Sequence, residues 1–251
     1  MDRLRDANWR DVLFHIFLPN RCMFCGEPIR WDGLLCGECE KKAPWTERGR
    51  CLICGGRNCG GINCRCENHN DNFCRCDLEK NGFLRLTAPF YYDLGADRAI
   101  RDMKFHGNLL NARKLGQYMA DRLIEDRLDT AVDVIVPVPL YEKDLARRGY
   151  NQAEVLASWV SRSLGKPLVL ALDKVRSTKK QHELNARERA VNLRNAFRIA
   201  APGLIRGRTV LLVDDVFTTG STARTCARTL LEAGAGAVLC LTAAKTVQEF
   251  H

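Results

Sequence analysis

Val210–Thr222 reads VLLVDDVFTTGST. Val210 to Val213 form an apolar run with no polar face, the pattern of a parallel strand buried on both sides. Asp214 and Asp215 follow where that strand is expected to leave its sheet. Thr218, Thr219 and Ser221 surround Gly220. From Thr222 a helical spacing of Ala223, Cys226, Ala227, Leu230 and Leu231 runs to a stop at Gly234. Strand, acid pair, hydroxyl turn and helix place open N–H groups and hydroxyls at a helix N-terminus, where an anion is favoured. The carboxylates exclude a simple phosphate pocket. As acceptors they suit the vicinal hydroxyls of a ribose, while the turn suits the phosphate on the same sugar. The expected ligand is a sugar phosphate.

The same order of residues resembles the phosphoribosyl pyrophosphate (PRPP) motif of type I phosphoribosyltransferases, matched at every position. The resemblance implies that Asp214 and Asp215 hold the ribose hydroxyls. It gives the 5′-phosphate to Thr218, Thr219, Gly220, Ser221 and Thr222.

At 251 residues the chain is long enough for one large domain or two smaller ones. No run approaches the ~20 apolar residues of a membrane span, and the N-terminus lacks the pattern of a secretory leader. A cytoplasmic protein is expected. The formal charge of +9 fits a polyanionic partner, nucleic acid or a phosphate-rich ligand, and equally a merely basic surface.

Of the 13 cysteines, all but Cys226 and Cys240 lie between Cys22 and Cys76. In a chain without an export signal such density reads as metal ligation rather than disulfides. Cys22, Cys25, Cys36 and Cys39 form two Cys-x-x-Cys knuckles, a closed four-sulfur shell for a structural zinc. Cys51 and Cys54 form a third knuckle. Its partners are open among Cys59, Cys64, Cys66, His69, Cys74 and Cys76, with Cys74 and Cys76 the preferred pair for a second zinc. Cys226 and Cys240 read as small core residues.

Along the rest of the chain, residues 4–18 show an amphipathic helix. Phe83 to Tyr92 alternates as an edge strand interrupted by Pro89. Helices are expected at Asp97–Lys104, Leu109–Leu128 and Asn151–Leu164, and in part over Glu183–Asn195. Strands are expected at Val132–Val136, Leu168–Leu172 and Ala237–Thr242. Strands alternating with helices predict an α/β fold, a mostly parallel Rossmann-like sheet with helices on both faces, whose ligands bind beyond the strands' C-terminal ends. Loops 137–151, 173–182 and 214–222 should meet there. The expected organisation is a helix over 1–20, a Cys-rich double zinc-ribbon-like domain over 21–80, and the sheet domain over 83–251.

Val136-Pro-Val-Pro-Leu140 followed by Arg148-Gly-Tyr-Asn-Gln-Ala-Glu154 resembles the signature of the ComF/GntX family. Lys104-Phe105 with Gly107, Arg176, Thr178 and Gln181, and the tail Arg189, Asn192 and Phe197 extend the likeness. These are phosphoribosyltransferase-like proteins with an N-terminal zinc ribbon, linked to natural transformation and the use of external DNA. The stretch 59–76 is longer and richer in cysteine than the family's usual second pair of knuckles.

The resemblance implies a type I phosphoribosyltransferase-like domain that binds PRPP with Mg²⁺, the metal being held mainly by ligand oxygens and water. Pro137, Val138, Pro139, Arg147, Arg148 and Lys104 would then face the pyrophosphate. Arg176, Lys179 and Lys180 would lie on a mobile loop that neutralises the departing group. No acceptor pocket is legible, so three functions stand side by side. One is a PRPP-binding DNA-uptake protein that contacts single-stranded DNA, and another is an active phosphoribosyltransferase. The third is a zinc-ribbon scaffold for a helicase-type partner. Trp31 and Trp45 are candidates for base stacking or for a ribbon mini-core, while Trp9 and Trp159 fit core-facing helical positions.

Overall fold

The computed structural model describes residues 20–30, 32–47, 82–176 and 196–246. The helix expected in 4–18, the second metal set (Cys51, Cys54, Cys74, Cys76), Lys179, Lys180 and the stretch 183–195 lie outside them. Along the chain the elements are α1 (Gly37–Lys42), β1 (Arg85–Thr87), β2 (Phe90–Tyr91), α2 (Ala96–His106), α3 (Leu109–Glu125) and β3 (Val134–Pro137). After them come α4 (Glu142–Arg148), α5 (Gln152–Leu164), β4 (Leu172–Lys174), β5 (Phe197–Ile199), β6 (Thr209–Phe217), α6 (Ser221–Glu232) and β7 (Ala237–Lys245).

The apolar run Val210–Val213 is the middle of a five-stranded sheet ordered β1-β7-β6-β3, with β2 also on β7 and every pair parallel. Alternate residues of the two central strands feed opposite faces. Leu211, Val213, Leu239 and Leu241 enter the core with α2, α3 and α5, while Val210, Leu212, Val238 and Cys240 enter the core with α6. Both faces are therefore buried, which is why these strands carry no polar period. Each fully covered leucine contributes about 1.5–3 kcal/mol.

Asn151 shows how one residue fixes a loop. Its side chain caps α5 by accepting from the Ala153 N–H and donates to the Val138 carbonyl at 3.0 Å. That bond ties the head of the helix to the exit of β3. Helix α5 itself starts and stops where its cap and Gly165 predict.

Three expectations need correction. The acid pair does not follow the strand. β6 continues through Asp214 and Asp215 to Phe217 because β7 goes on pairing with it after β3 has ended opposite Val213. The strand expected at Leu168–Leu172 forms instead at Leu172–Lys174, antiparallel to β5, and Leu168 makes only an isolated bridge to Ile135. Within the expected loop 137–151 stands α4. Acids in its first turn, arginines in its last and a left-handed Gly149 cap support it, and none of its residues is buried.

The cysteine segment packs directly on this core. Cys22, Met23, Phe24 and Leu35 belong to the same apolar cluster as Leu115, Met119 and Leu241. One face of α3 meets the segment at four-residue steps. The Lys114 ammonium donates to the Arg21 carbonyl, the Tyr118 hydroxyl to Glu40 at 2.8 Å, and the Arg122 guanidinium to the Thr46 and Glu47 carbonyls at 3.0 and 3.2 Å. Trp45 lies on Phe90 and Tyr118, with ring centroids 4.7 and 5.3 Å apart, so its indole completes an aromatic mini-core. No helix among the described residues is long and apolar enough to cross a membrane.

Candidate functional site

The acid pair stands on the part of β6 that outruns β3. Asp214 accepts from the Asp215 N–H at 2.8 Å, and Asp215 pairs with Lys104 of α2 at 2.8 Å. Burial first, then the adjacent Asp215 carboxylate, push Asp214 up to about 7. The Asp215 N–H, Lys104 and Lys174 pull the other way.

Beyond Phe217 the chain turns through Thr218 and Thr219, both exposed, into Gly220, the N-cap of α6. Gly220 has φ +76°, and a Cβ there would lie 2.4 Å from the tip of Phe217. Conformation and space both demand glycine. The Thr219 and Ser221 hydroxyls are 3.0 Å apart, and Arg224 donates to the Thr219 carbonyl, so the bend is braced from inside its own helix. No acid occupies the first turn of α6, and no side chain caps its N-terminus.

The loop after β3 borders the pair. Val138 donates to the Val213 carbonyl at 2.8 Å, which places Pro137 to Pro139 alongside the end of β6. Arg148 extends its guanidinium over Phe105, the residue after Lys104, with its carbon 5.5 Å from the ring centroid. Arg147 turns to solvent and pairs with Asp144 at 3.0 Å. Arg176 is exposed at the last described position before the 177–195 stretch.

Lys174, which sequence reasoning did not single out, lies near the acid pair, whereas Tyr150 and Gln152 were read only as part of the family signature. Lys174 at the end of β4 is near enough to Asp214 to favour its ionised form. Tyr150 and Gln152 follow Arg148, and the Tyr150 hydroxyl, the Gln152 amide nitrogen and the Arg148 Nε are buried without a hydrogen-bond partner among the described residues. Polar residues that close a tight turn yet stay out of its own bonding were the available signal.

The cysteine centre brings together Cys22, Cys25, Cys36 and Cys39, whose sulfurs all lie within 4.8 Å of one another. The Cys25 and Cys36 sulfurs are 3.7 Å apart, and a tetrahedral zinc with bonds of ~2.3 Å needs about 3.8 Å. The donor set therefore fits one structural zinc. Lys114, buried beside Cys22, offsets part of the negative charge of a four-thiolate site. Burial holds its ammonium below the ordinary lysine range, and the Cys22 thiolate opposes that.

A parallel sheet with an acid pair leading into a glycine–hydroxyl helix cap defines a phosphoribosyltransferase-type domain, and residues 119–249 match the family Phosphoribosyl transferase domain. The chain is 33% identical over 229 residues to the DNA utilization protein YhgH of Escherichia coli (strain K12), covering 88% of this chain and 95% of that one. It is 28% identical to the Competence protein ComFC of Bacillus subtilis (strain 168), covering 86% of this chain and 85% of that protein. With the Competence protein F of Haemophilus influenzae it shares 43% identity over 104 residues, 41% of this chain and 45% of the other. The chain belongs to the ComF/YhgH family of proteins with a phosphoribosyltransferase domain.

Proposed function

We propose that the chain binds PRPP with Mg²⁺ at the acid–hydroxyl corner and acts with single-stranded DNA in DNA uptake or the use of external DNA. The observation that carries the ligand is the adjacency of two carboxylates to a helix N-terminus that only glycine can cap. Asp214 and Asp215 take the ribose hydroxyls, and the 218–222 turn takes the 5′-phosphate. Magnesium prefers carboxylate, phosphate and water oxygens, and the acid pair supplies the protein's share without a dedicated cage. The pyrophosphate then lies toward Lys104, the 137–139 loop and the partnerless donors of Arg148, Tyr150 and Gln152. Binding it there satisfies polar atoms that are otherwise buried at a cost. Arg176, with Lys179 and Lys180, would close over it. The DNA half is supported by the names of the relatives, a DNA utilization protein and two competence proteins, and by the +9 charge.

Calorimetry with PRPP and Mg²⁺ tests the ligand. The Asp214→Asn/Asp215→Asn protein should keep its circular dichroism spectrum and lose measurable binding. Affinity equal to wild type refutes the assignment. Pyrophosphate released when bases or amines are added would make the chain an active transferase; PRPP that persists beside every acceptor leaves it a binding protein.

A further inference from the structure

Trp159 was expected to face the core, yet it is only half-buried, where α5 meets α3. The cause lies in α3, where Gly116 sits so close to α5 that a Cβ on it would stand 2.5 Å from the Trp159 Cβ. The two helices touch there, and the indole lies across the seam instead of entering it.

The ring is bracketed by cations. The guanidinium of Arg113, from α3, is 5.8 Å from its centroid, and that of Arg162, one turn further along α5, is 5.0 Å away. In the segments just ahead of the two helices, Arg148 covers Phe105 in the same manner. Phe105 is 64% exposed and Leu110, one turn before Arg113, is 66% exposed. Aromatic, apolar and guanidinium groups thus recur on α3 and α5 and just ahead of both helices, from Phe105, the residue after Lys104, to Arg162.

Their contact with rings, together with the lack of a carboxylate partner, separates these arginines from the paired ones on the surface. Arg98, Arg101, Arg147 and Arg198 each meet a carboxylate within 4 Å. Arg113, Arg148 and Arg162 have no carboxylate partner among the described residues and lie instead on rings. A solvated charged face ordinarily mixes signs and pairs them. Cations kept unneutralised and flat against aromatic rings offer positive charge and stacking planes in one place. That combination fits a polyanion whose repeating units have π-faces, namely unpaired bases on a phosphate backbone. Duplex DNA hides those faces, and an acidic polypeptide lacks them.

We propose that the Phe105–Arg162 strip of α3 and α5 is the single-stranded DNA-binding surface of this protein, with Trp159 and its two arginines as the base-stacking platform. The proposal rests on the DNA half of the function proposed above and adds where the strand lies: it leaves the acid corner past Phe105 and Arg148 and crosses the α3–α5 seam.

The test uses the full zinc-loaded chain and a labelled thymine oligonucleotide of about 15 nucleotides, read by fluorescence anisotropy. Trp159→Ala should weaken binding roughly tenfold, the loss of about one stacked base. Arg113→Gln/Arg162→Gln touches only exposed charges and keeps the test alive if the tryptophan variant misfolds. It should lower the slope of log affinity against log salt by about one to two. Binding of the oligonucleotide should also quench tryptophan fluorescence in wild type, and less so in Trp159→Phe. Equal affinity and slope in wild type and all variants overturn this surface while leaving DNA binding elsewhere intact. Equal competition by a duplex or by polyglutamate overturns the stacking argument. A wild-type chain that ignores the oligonucleotide at low salt removes the DNA reading itself.

Discussion

The inner face of α3 and the end of β6 treat buried polar groups in opposite ways. On α3, Lys114, Tyr118 and Arg122 are long side chains whose polar ends meet carbonyls or a carboxylate of the cysteine segment. Arg122 has a second buried partner in Asp126 at 3.3 Å. At the end of β6 two carboxylates sit side by side, Asp215 paired with Lys104 and Asp214 near both Lys104 and Lys174, beside a helix end with no side-chain cap. In one region each of these side chains bonds within the chain, Arg122 Nε alone meeting its carboxylate without hydrogen-bond geometry; the other holds like charges together and keeps buried donors unbonded. Polar groups that are satisfied internally build the fold. Those kept dissatisfied mark where a ligand belongs.

This contrast has measurable consequences. Replacing Cys22 and Cys36 with serine removes the metal shell, and structural zinc sites carry apparent binding energies of about 10–16 kcal/mol. Because Cys22, Met23, Phe24 and Leu35 share a core with the sheet, calorimetry should record one cooperative melt moved to much lower temperature. A melt at the wild-type temperature for the 82–246 region would mean that the contact stabilises only the cysteine segment. Arg122→Ala strands the buried Asp126 carboxylate and two carbonyls, so urea titration should show a loss of about 3–5 kcal/mol. The effect at the acid corner is smaller and of opposite sign. Asp214 has its carboxyl raised in the fold from 3.8 to about 7, so the folded state binds the proton more tightly than the unfolded chain does. Its contribution is therefore most favourable below pH 4 and is lost as pH rises through 7. Asp214→Asn should raise the melting temperature at pH 8 and leave it nearly unchanged at pH 4. Destabilisation at pH 8 would show that the pair is a structural bond and not a strained binding group.

Much of this architecture was readable because it rests on local pattern. The Val210–Val213 run, the Gly220 turn and the Asn151–Leu164 helix declare themselves within a few residues of where they act. The close-set knuckles also made the first sulfur shell legible, and the structure brings all four together. Helix α4 was missed because none of its residues is buried, leaving no apolar period to detect. The three-residue strands β4 and β5 are shorter than any periodicity can register, and their partners are 25 residues apart at Asp173 and Arg198. Trp159 fits an apolar helical position, and only Gly116, more than 40 residues earlier, explains why it lies across a seam. Nor can sequence alone tell that Lys114 and Arg122 reach carbonyls 93 and 76 positions away.

Those bonds along α3 run in register with the chain they hold. Arg21 meets Lys114, Glu40 meets Tyr118, and Thr46 and Glu47 meet Arg122, so both partners advance in the same direction. Each four-residue step turns the helix by about 400°, and the stripe drifts roughly 40° per contact. The helix thus works as a ruler with unevenly rotated marks. Exchanging one side chain erases a mark, but deleting a single residue between 114 and 122 swings all later marks by about 100°. Gene variants in this family should accordingly accept substitutions in that stretch far more readily than changes of length.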